Sequence, residues 1–109
     1  MKITKIDTYP LDFPQDPPWG YSKGWVSNAP ALLIEVHTDK GISGWGEGYG
    51  PPLPAAEMIR ALCEPVAIGT DPFCTEDLWS RLIHDARDFS SSGTALAAIS
   101  AIDIACWDI

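Results

Sequence analysis

The sequence predicts an α+β fold, with a three-stranded antiparallel meander sheet followed by about three helices. Two observations support this prediction. Residues 2–48 are rich in β-forming residues and glycine, whereas residues 54–109 are rich in Ala, Leu, Ile and acidic residues at helical spacing. The chain has 109 residues, of which 46% are hydrophobic, so it can build one core and is too short for two domains.

The first strand is predicted over Lys2–Tyr9, and it should end near Pro10 because proline cannot donate to a β-ladder. The stretch 11–30 is then predicted to be a long loop, since its four prolines and two glycines argue against a continuous strand or helix. It nevertheless carries large rings, which are Phe13, Trp19, Tyr21 and Trp25. A loop of this length and composition is typical of a functional segment.

A β-hairpin is predicted next. Residues 31–38 favour a buried strand, Asp39–Gly41 a short turn in which Gly41 supplies a positive φ, and Ile42–Glu47 the return strand. The return segment 41–48 contains four glycines in eight residues. Such a density indicates that another element packs closely against the backbone of this strand.

Three helices are predicted from apolar residues that recur at helical spacing. The first covers Pro54–Val66, the second begins with Thr75 as its N-cap, and the third covers Ala95–Ile109 with Thr94 as its cap. The inner face of the first is Met58, Ile59, Leu62, Cys63 and Val66. The inner face of the second is Leu78, Trp79, Leu82, Ile83 and Ala86. The apolar face of the third is Ile99, Ile102, Ala105, Cys106 and Ile109.

The third helix has no terminating Gly or Pro and no basic residue in its last turn. The sequence therefore predicts that the chain is a piece of a longer polypeptide. Its apolar face is expected to lack its partner in the isolated piece, which would favour self-association.

Charge and composition argue against several classes of partner. Seven Lys and Arg against 15 Asp and Glu give a net charge of −8, which opposes binding to nucleic acid or to an anionic membrane surface. The sequence has no apolar run near the roughly 20 residues of a membrane span and no signal-peptide core, so a cytoplasmic protein is expected. Three cysteines without a Cys-x-x-Cys pair predict neither a disulfide framework nor a zinc site. Cys63 and Cys106 are expected to be buried thiols.

No residue of the chain is predicted to be catalytic or to bind a metal. Asp103 and Asp108 are five residues apart on one helix, about 140° apart in direction, so they cannot chelate one ion together. His37 and His84 have no acidic partner at a diagnostic spacing and are expected to be structural. No serine lies in a Gly-x-Ser-x-Gly turn, and the glycines of residues 44–48 lack the lysine and the helix start of a phosphate loop.

The remaining candidates are rings in two segments, 13–25 and 48–50, which flank strands of the same sheet. Both segments are expected to emerge at one end of the sheet and to shape a pocket, because rings exclude water with little loss of rotamer entropy. The candidate substrate-binding residues are Trp19, Tyr21, Trp25 and Tyr49. A second interpretation, that these rings only cover the sheet, is equally compatible with the sequence.

Four stretches, in order along the whole chain, resemble a known family. Residues 98–109, A-x-S-A-I-D-x-A-x-W-D-I, resemble the signature that closes the N-terminal domain of the mandelate racemase/muconate lactonizing enzyme family, within the enolase superfamily. Residues 2–6 (KITKI), 44–47 (GWGE) and 68–73 (IGTDPF) agree with it. Cys106 departs from the family, which more often has Leu or Ala there.

The resemblance implies that residues 1–109 are an N-terminal capping domain, with the third helix leading from about residue 95 toward a modified (β/α) barrel. It implies a Mg²⁺-dependent racemase, acid-sugar dehydratase or cycloisomerase that removes a proton α to a carboxylate. The Mg²⁺ ligands and the acid and base groups would lie in the barrel, outside this chain. The 109-residue piece alone would then be inactive, and the intact enzyme is expected to be a homo-oligomer.

By the same resemblance, the segments 17–25 and 48–50 would close over the pocket and discriminate between small carboxylate substrates. The connector Ser90–Gly93 is a weaker candidate for the same rim. The competing hypothesis is a free-standing, non-catalytic domain that binds a ligand or a partner through the aromatic segment 13–25.

Overall fold

A computed structural model of the chain describes residues 1–89 and 92–109. The elements, in chain order, are β1 (Ile3–Tyr21), β2 (Gly24–Thr38), β3 (Ser43–Gly48), α1 (Pro52–Met58), a π-helical turn (Ile59–Cys63), α2 (Glu64–Ala67), α3 (Thr75–Ala86) and α4 (Thr94–Asp108). Helices follow strands without alternation, so the predicted α+β class is confirmed.

The three strands form an antiparallel meander in the order β1-β2-β3, as predicted. The register pairs Val36 with Ile6 on one side and with Gly44 on the other. The turn between β2 and β3 contains Gly41 at φ 72°, which confirms its expected role. Alternate residues of β2 are buried from Leu32 to Thr38, so one face of the sheet lies against the helices and the other face does not.

The predicted end of the first strand at Pro10 and the predicted loop over 11–30 are both wrong. β1 continues to Tyr21 and β2 begins at Gly24. Proline is tolerated on an edge strand, where a missing N–H leaves no ladder partner unsatisfied. β1 is an edge strand along its whole length. β2 pairs with β3 only from Leu32 onward, so its residues before Leu32 also have one free edge. The residues between Pro14 and Trp19 form an irregularity that absorbs the remaining prolines.

α4 packs directly onto β3. A Cβ atom at Gly44 would overlap the carbonyl oxygen of Ala105, and one at Gly46 would overlap that of Ala101. The close approach that the glycine-rich strand predicted is therefore real, and α4 is the element that makes it. At the edge of the sheet, the Trp45 N–H donates a hydrogen bond of 2.8 Å to the Asp108 carboxylate, which satisfies a donor that no further strand reaches.

The first predicted helix is present but longer, running from Pro52 to Ala67 with a π-helical turn in its middle. There the Glu64 N–H donates to the carbonyl of Ile59, five residues back. The next residue, Pro65, has no N–H, and the wider turn accommodates it. The predicted inner face is confirmed: Ile59, Leu62, Cys63 and Val66 are buried, and Met58 packs against the core.

Details of the other two helices differ from the prediction. Neither Thr75 nor Thr94 is an N-cap, because each is the first helical residue and follows Cys74 or Gly93, and neither cap position makes a side-chain hydrogen bond. Trp79 and Ile83 are exposed rather than part of the inner face of α3, which consists of Leu78, Leu82 and Ala86. Helical spacing alone does not show which residues of so wide an apolar face are buried and which are exposed.

The apolar face of α4 is covered within this chain, contrary to expectation. Ile99, Ile102, Ala105 and Cys106 are buried, and Ile109 packs against the core. Cys63 and Cys106 are buried thiols as predicted, and burial is the main cause that raises their pKa values to about 12 and about 11. Among the described residues, no helix is long and apolar enough to cross a membrane.

Candidate functional site

The first candidate site is a two-stranded arm formed by residues 11–31. β3 ends opposite Leu32, so β1 and β2 continue beyond it with only each other as partners. None of the residues 11–31 is buried. The arm contributes to the elongated shape of the molecule, which measures 45 × 32 × 19 Å along its principal axes. Side chains on such an arm are free to contact another molecule or domain, because the core does not use them.

The predicted rings lie at the tip of the arm, but on two different faces. Directly opposed residues share a face, and the register opposes Trp19 to Val26, Gly20 to Trp25 and Tyr21 to Gly24. Trp19 and Tyr21 therefore lie together, with ring centroids 6.2 Å apart. Trp25 lies on the other face, packed across Gly20, and 78% of its surface is exposed.

Tyr49, the fourth predicted residue, follows β3 directly and is 91% exposed. It lies at the same end of the sheet as the arm, as expected. The tip rings, however, lie six to eight residues further along β2 than Leu32, which is opposite the end of β3. At about 3.3 Å per residue this separation is roughly 20–26 Å. Within the described residues, the tip rings and Tyr49 are therefore two separate parts of this end of the sheet and do not line one shared pocket.

Between these two parts lies an open cleft of about 390 Å³ that the sequence analysis missed. It separates the root of the arm from the start of α1, and most of its lining is apolar. The lining residues are Pro10, Leu11, Asp12, Pro30, Pro51, Pro52, Leu53 and Pro54. The sequence shows the prolines at the root of the arm and those at the start of α1. It does not show that these two segments lie close together, because that depends on strand pairing across the sheet. The cleft therefore has a stiff, largely apolar lining at the root of the arm.

A polar cluster occupies the open face of the sheet. His37 has no acidic partner at a diagnostic sequence spacing, but in the folded chain its Nε2 lies 2.9 Å from an Asp7 carboxylate oxygen and 3.6 Å from one of Glu35. The Ser43 hydroxyl donates to Glu35 over 2.7 Å. The hydrogen bond from Lys5, followed by that of His37, lowers the pKa of Asp7 below its ordinary value. Each of these groups has a polar partner within the sheet, which agrees with the structural role predicted for His37.

The described residues include no group of three or more His, Cys, Asp or Glu side chains that could hold a metal ion. Asp108 is engaged with the Trp45 N–H, and Asp103 points to a groove between α3 and α4. The side chains of residues 1–89 and 92–109 therefore do not fit a Mg²⁺ site. Of the weaker rim candidate, Ser92 and Gly93 are exposed, whereas Ser90 and Ser91 lie outside the described residues.

The sequence matches a family of enzymes along almost its whole length. The model for the mandelate racemase/muconate lactonizing enzyme N-terminal domain matches residues 5–109. D-galactarolactone cycloisomerase of Agrobacterium fabrum is 38% identical over the whole chain and 29% of its own length. N-succinyl-L-Arg/Lys racemase of Bacillus cereus (34%) and D-galactonate dehydratase of Verminephrobacter eiseniae (32%) also match the whole chain, over 30% and 24% of their own lengths. The chain thus spans less than a third of these relatives.

Solved structures agree with the sequence matches. The 3,6-anhydro-D-galactonate cycloisomerase of Zobellia galactanivorans superposes with a TM-score of 0.84 and 32% identity, over 99% of this chain and 28% of that one. A mandelate racemase/muconate lactonizing enzyme of Roseovarius nubinhibens, complexed with magnesium, superposes with a TM-score of 0.80 and 28% identity, over 98% and 30%. The chain therefore belongs to the mandelate racemase/muconate lactonizing enzyme family of the enolase superfamily and corresponds to the N-terminal domain of its members.

Proposed function

We propose that this chain is the capping domain that selects the substrate of a Mg²⁺-dependent enzyme, which removes a proton α to the carboxylate of an acid sugar. One observation carries the proposal: the arm 11–31 contains no buried residue and ends in the large rings Trp19, Tyr21 and Trp25. Rings that the core does not use, on an element that projects from the sheet, are suited to contacting a substrate.

A division of labour follows from the chemistry of these residues. Indole and phenol rings exclude water and shape a pocket, but an indole cannot take up a proton from carbon. The described side chains also offer no cluster that would hold Mg²⁺. The cation would supply electrostatic stabilisation of the charge that develops next to the carboxylate. We therefore assign the metal ligands and the acid and base groups to a C-terminal barrel of the intact polypeptide.

The relatives support an acid sugar as the substrate class. A galactarolactone cycloisomerase, a galactonate dehydratase and an anhydrogalactonate cycloisomerase are each at least 32% identical to this chain. A sugar acid presents C–H faces that pack on aromatic rings and hydroxyl groups that require a polar rim. Because these relatives and the racemase catalyse different reactions, the similarity of their N-terminal domains supports a role in recognition more than in one particular reaction.

The proposal is tested in the intact enzyme with Trp19→Ala and Tyr49→Ala. Both variants should change the ratio of kcat/KM between substrates by about tenfold or more, which corresponds to about 1.4 kcal/mol of differential binding in the transition state. The panel should contain several acid sugars and one N-succinyl amino acid. The affinity for Mg²⁺ should not change.

Phe73→Ala is the matched control. Phe73 is an exposed ring, like Trp19, but it belongs to the segment after Thr70, whose carbonyl accepts a hydrogen bond from Ile3 at the opposite end of the sheet. It should leave the substrate ratio unchanged. An equal loss of activity toward every substrate, or unchanged kinetics in both ring variants, would contradict a role in selection.

A further inference from the structure

A second concave surface lies between α3 and α4, away from the arm. It is a groove of about 210 Å³, lined by Thr75, Glu76, Trp79, Asp103 and Trp107. We call it the acid–indole groove. It is smaller than the roughly 300 Å³ at which small-molecule sites begin, so its size suits a single side chain rather than a substrate.

The acid–indole groove carries two carboxylates that nothing in the described chain neutralises. Neither Glu76 nor Asp103 forms a hydrogen bond or an ion pair with any residue of 1–89 or 92–109. The closest guanidinium along α3, that of Arg81, is paired with Asp77 at 3.6 Å. Burial raises the pKa of the neighbouring Cys106, and the negative charge of Asp103 adds to that shift. The groove is therefore a local negative field in a chain of net charge −8.

Two indole rings border these carboxylates. Trp107 is 73% exposed and Trp79 is 36% exposed, although both are among the largest apolar side chains of the molecule. The faces of indole rings attract cations, and a guanidinium also stacks on them while it pairs with a carboxylate. Carboxylates beside exposed indoles thus form a surface complementary to an arginine or lysine side chain.

We propose that the acid–indole groove seats a basic side chain, preferably arginine, from the C-terminal domain of the same polypeptide. The proposal depends on the assignment of a C-terminal barrel under Proposed function. The choice of occupant follows from position and length. Trp107 is two residues before Ile109, and the relatives contain more than twice as much further polypeptide as they share with this chain. A domain that follows the N-terminal domain in sequence is covalently held next to this groove, at a high effective concentration.

The experiment uses the intact enzyme and two isosteric variants, Asp103→Asn and Glu76→Gln. Each should lower the melting temperature by about 3 °C or more at 20 mM NaCl, and most of this difference should disappear at 1 M NaCl, because salt screens a partly exposed charge pair. Asp85→Asn, which removes an exposed carboxylate elsewhere on α3, is the control for Asp103→Asn and should change the melting temperature by less than 1 °C. Because Glu76 lies in the first turn of α3, its variant also loses an interaction with the helix dipole and counts only together with Asp103→Asn. Glu76 is exposed, so its variant is not at risk of misfolding.

A second measurement reports on the cover over the groove. Cys74 is exposed and precedes Thr75 at the rim of the groove, whereas Cys63 and Cys106 are buried. In the intact enzyme, Asp103→Asn should increase the rate at which a maleimide labels Cys74 several-fold, with Cys63 and Cys106 unlabelled as internal controls.

Three results would overturn the proposal. They are melting temperatures equal to that of the Asp85→Asn control, a difference that high salt does not reduce, and a change of oligomeric state in light scattering, which would identify a second copy as the occupant. The substrate ratios of the arm variants do not enter these measurements. Failure of the groove proposal is therefore distinguishable from failure of the proposed function.

Discussion

At the scale of single residues, the strongest constraint lies in β3. Gly44 and Gly46 have ordinary strand conformations, so their requirement for glycine does not come from a positive φ. It comes from the carbonyl groups of α4, which occupy the space where a Cβ would be. At Gly48 a Cβ would lie 3.4 Å from a methyl group of Leu32, an ordinary contact. Gly44 and Gly46 therefore have no room for a side chain, whereas Gly48 has room for a methyl group.

Gly46→Ala should lower the free energy of unfolding by about 2–3 kcal/mol, because the new methyl group would have to push α4 away from the sheet. Gly48→Ala should change it by less than about 1 kcal/mol, since alanine also restricts the unfolded chain. Urea denaturation of both variants measures the difference. Equal effects would show that α4 does not lie as close to β3 as described.

At the scale of elements, the sequence predicted what depends on neighbouring residues. The apolar faces of the first and third predicted helices and the 39–41 turn were correct, because helical spacing and turn chemistry are local, whereas Trp79 and Ile83 were wrongly placed on the inner face of the second. The arm was missed because the cost of a proline in a strand depends on whether the other edge of that strand is free. That is a property of the whole sheet, and no spacing within residues 11–30 reveals it.

For the candidate site, too, the sequence predicted only what depends on neighbouring residues. The unusual composition of two segments made Trp19, Tyr21, Trp25 and Tyr49 candidates, and the structure shows all four exposed. The separation of Trp25 from the other two tip rings follows from the register of the hairpin, and so does the meeting of His37 with Asp7, 30 residues earlier. Register over a long hairpin depends on the irregularity after Pro14, which the sequence did not reveal.

Removal of the arm tip provides a test at this scale. Residues 14–28 can be replaced by a two-residue Asn-Gly turn that joins Phe13 to Ala29, which face each other in the register. Because no residue of 11–31 is buried, the shortened protein should keep the helical signal of its circular dichroism spectrum and lose no more than about 1–2 kcal/mol of stability. Loss of the cooperative unfolding transition would show that the arm is part of the folding unit.

At the scale of the whole molecule, the proposed function places recognition and reaction chemistry in different parts of the intact polypeptide. The described residues carry the exposed rings Trp19, Tyr21, Trp25 and Tyr49 at one end of the sheet and include no group of three or more His, Cys, Asp or Glu side chains that could hold a metal ion. Under this proposal the proton chemistry depends on residues that this chain does not supply, whereas the choice of substrate depends on rings that it does supply.

The 109-residue chain by itself should bind Mg²⁺ no more tightly than the millimolar range and should show no turnover with any acid sugar, because its acidic groups do not converge. Isothermal titration calorimetry and a substrate panel provide the measurements. A stoichiometric site of micromolar affinity would contradict the assignment of the metal ligands to the barrel.

The exposure of the arm affects how such a protein can change over evolutionary time. Substitutions in a buried core must satisfy many neighbours at once, whereas the side chains between residues 11 and 31 contribute nothing to that core. A lineage could therefore exchange these rings for other side chains without losing the fold. New specificities would then be accessible through single mutations that the rest of the domain tolerates.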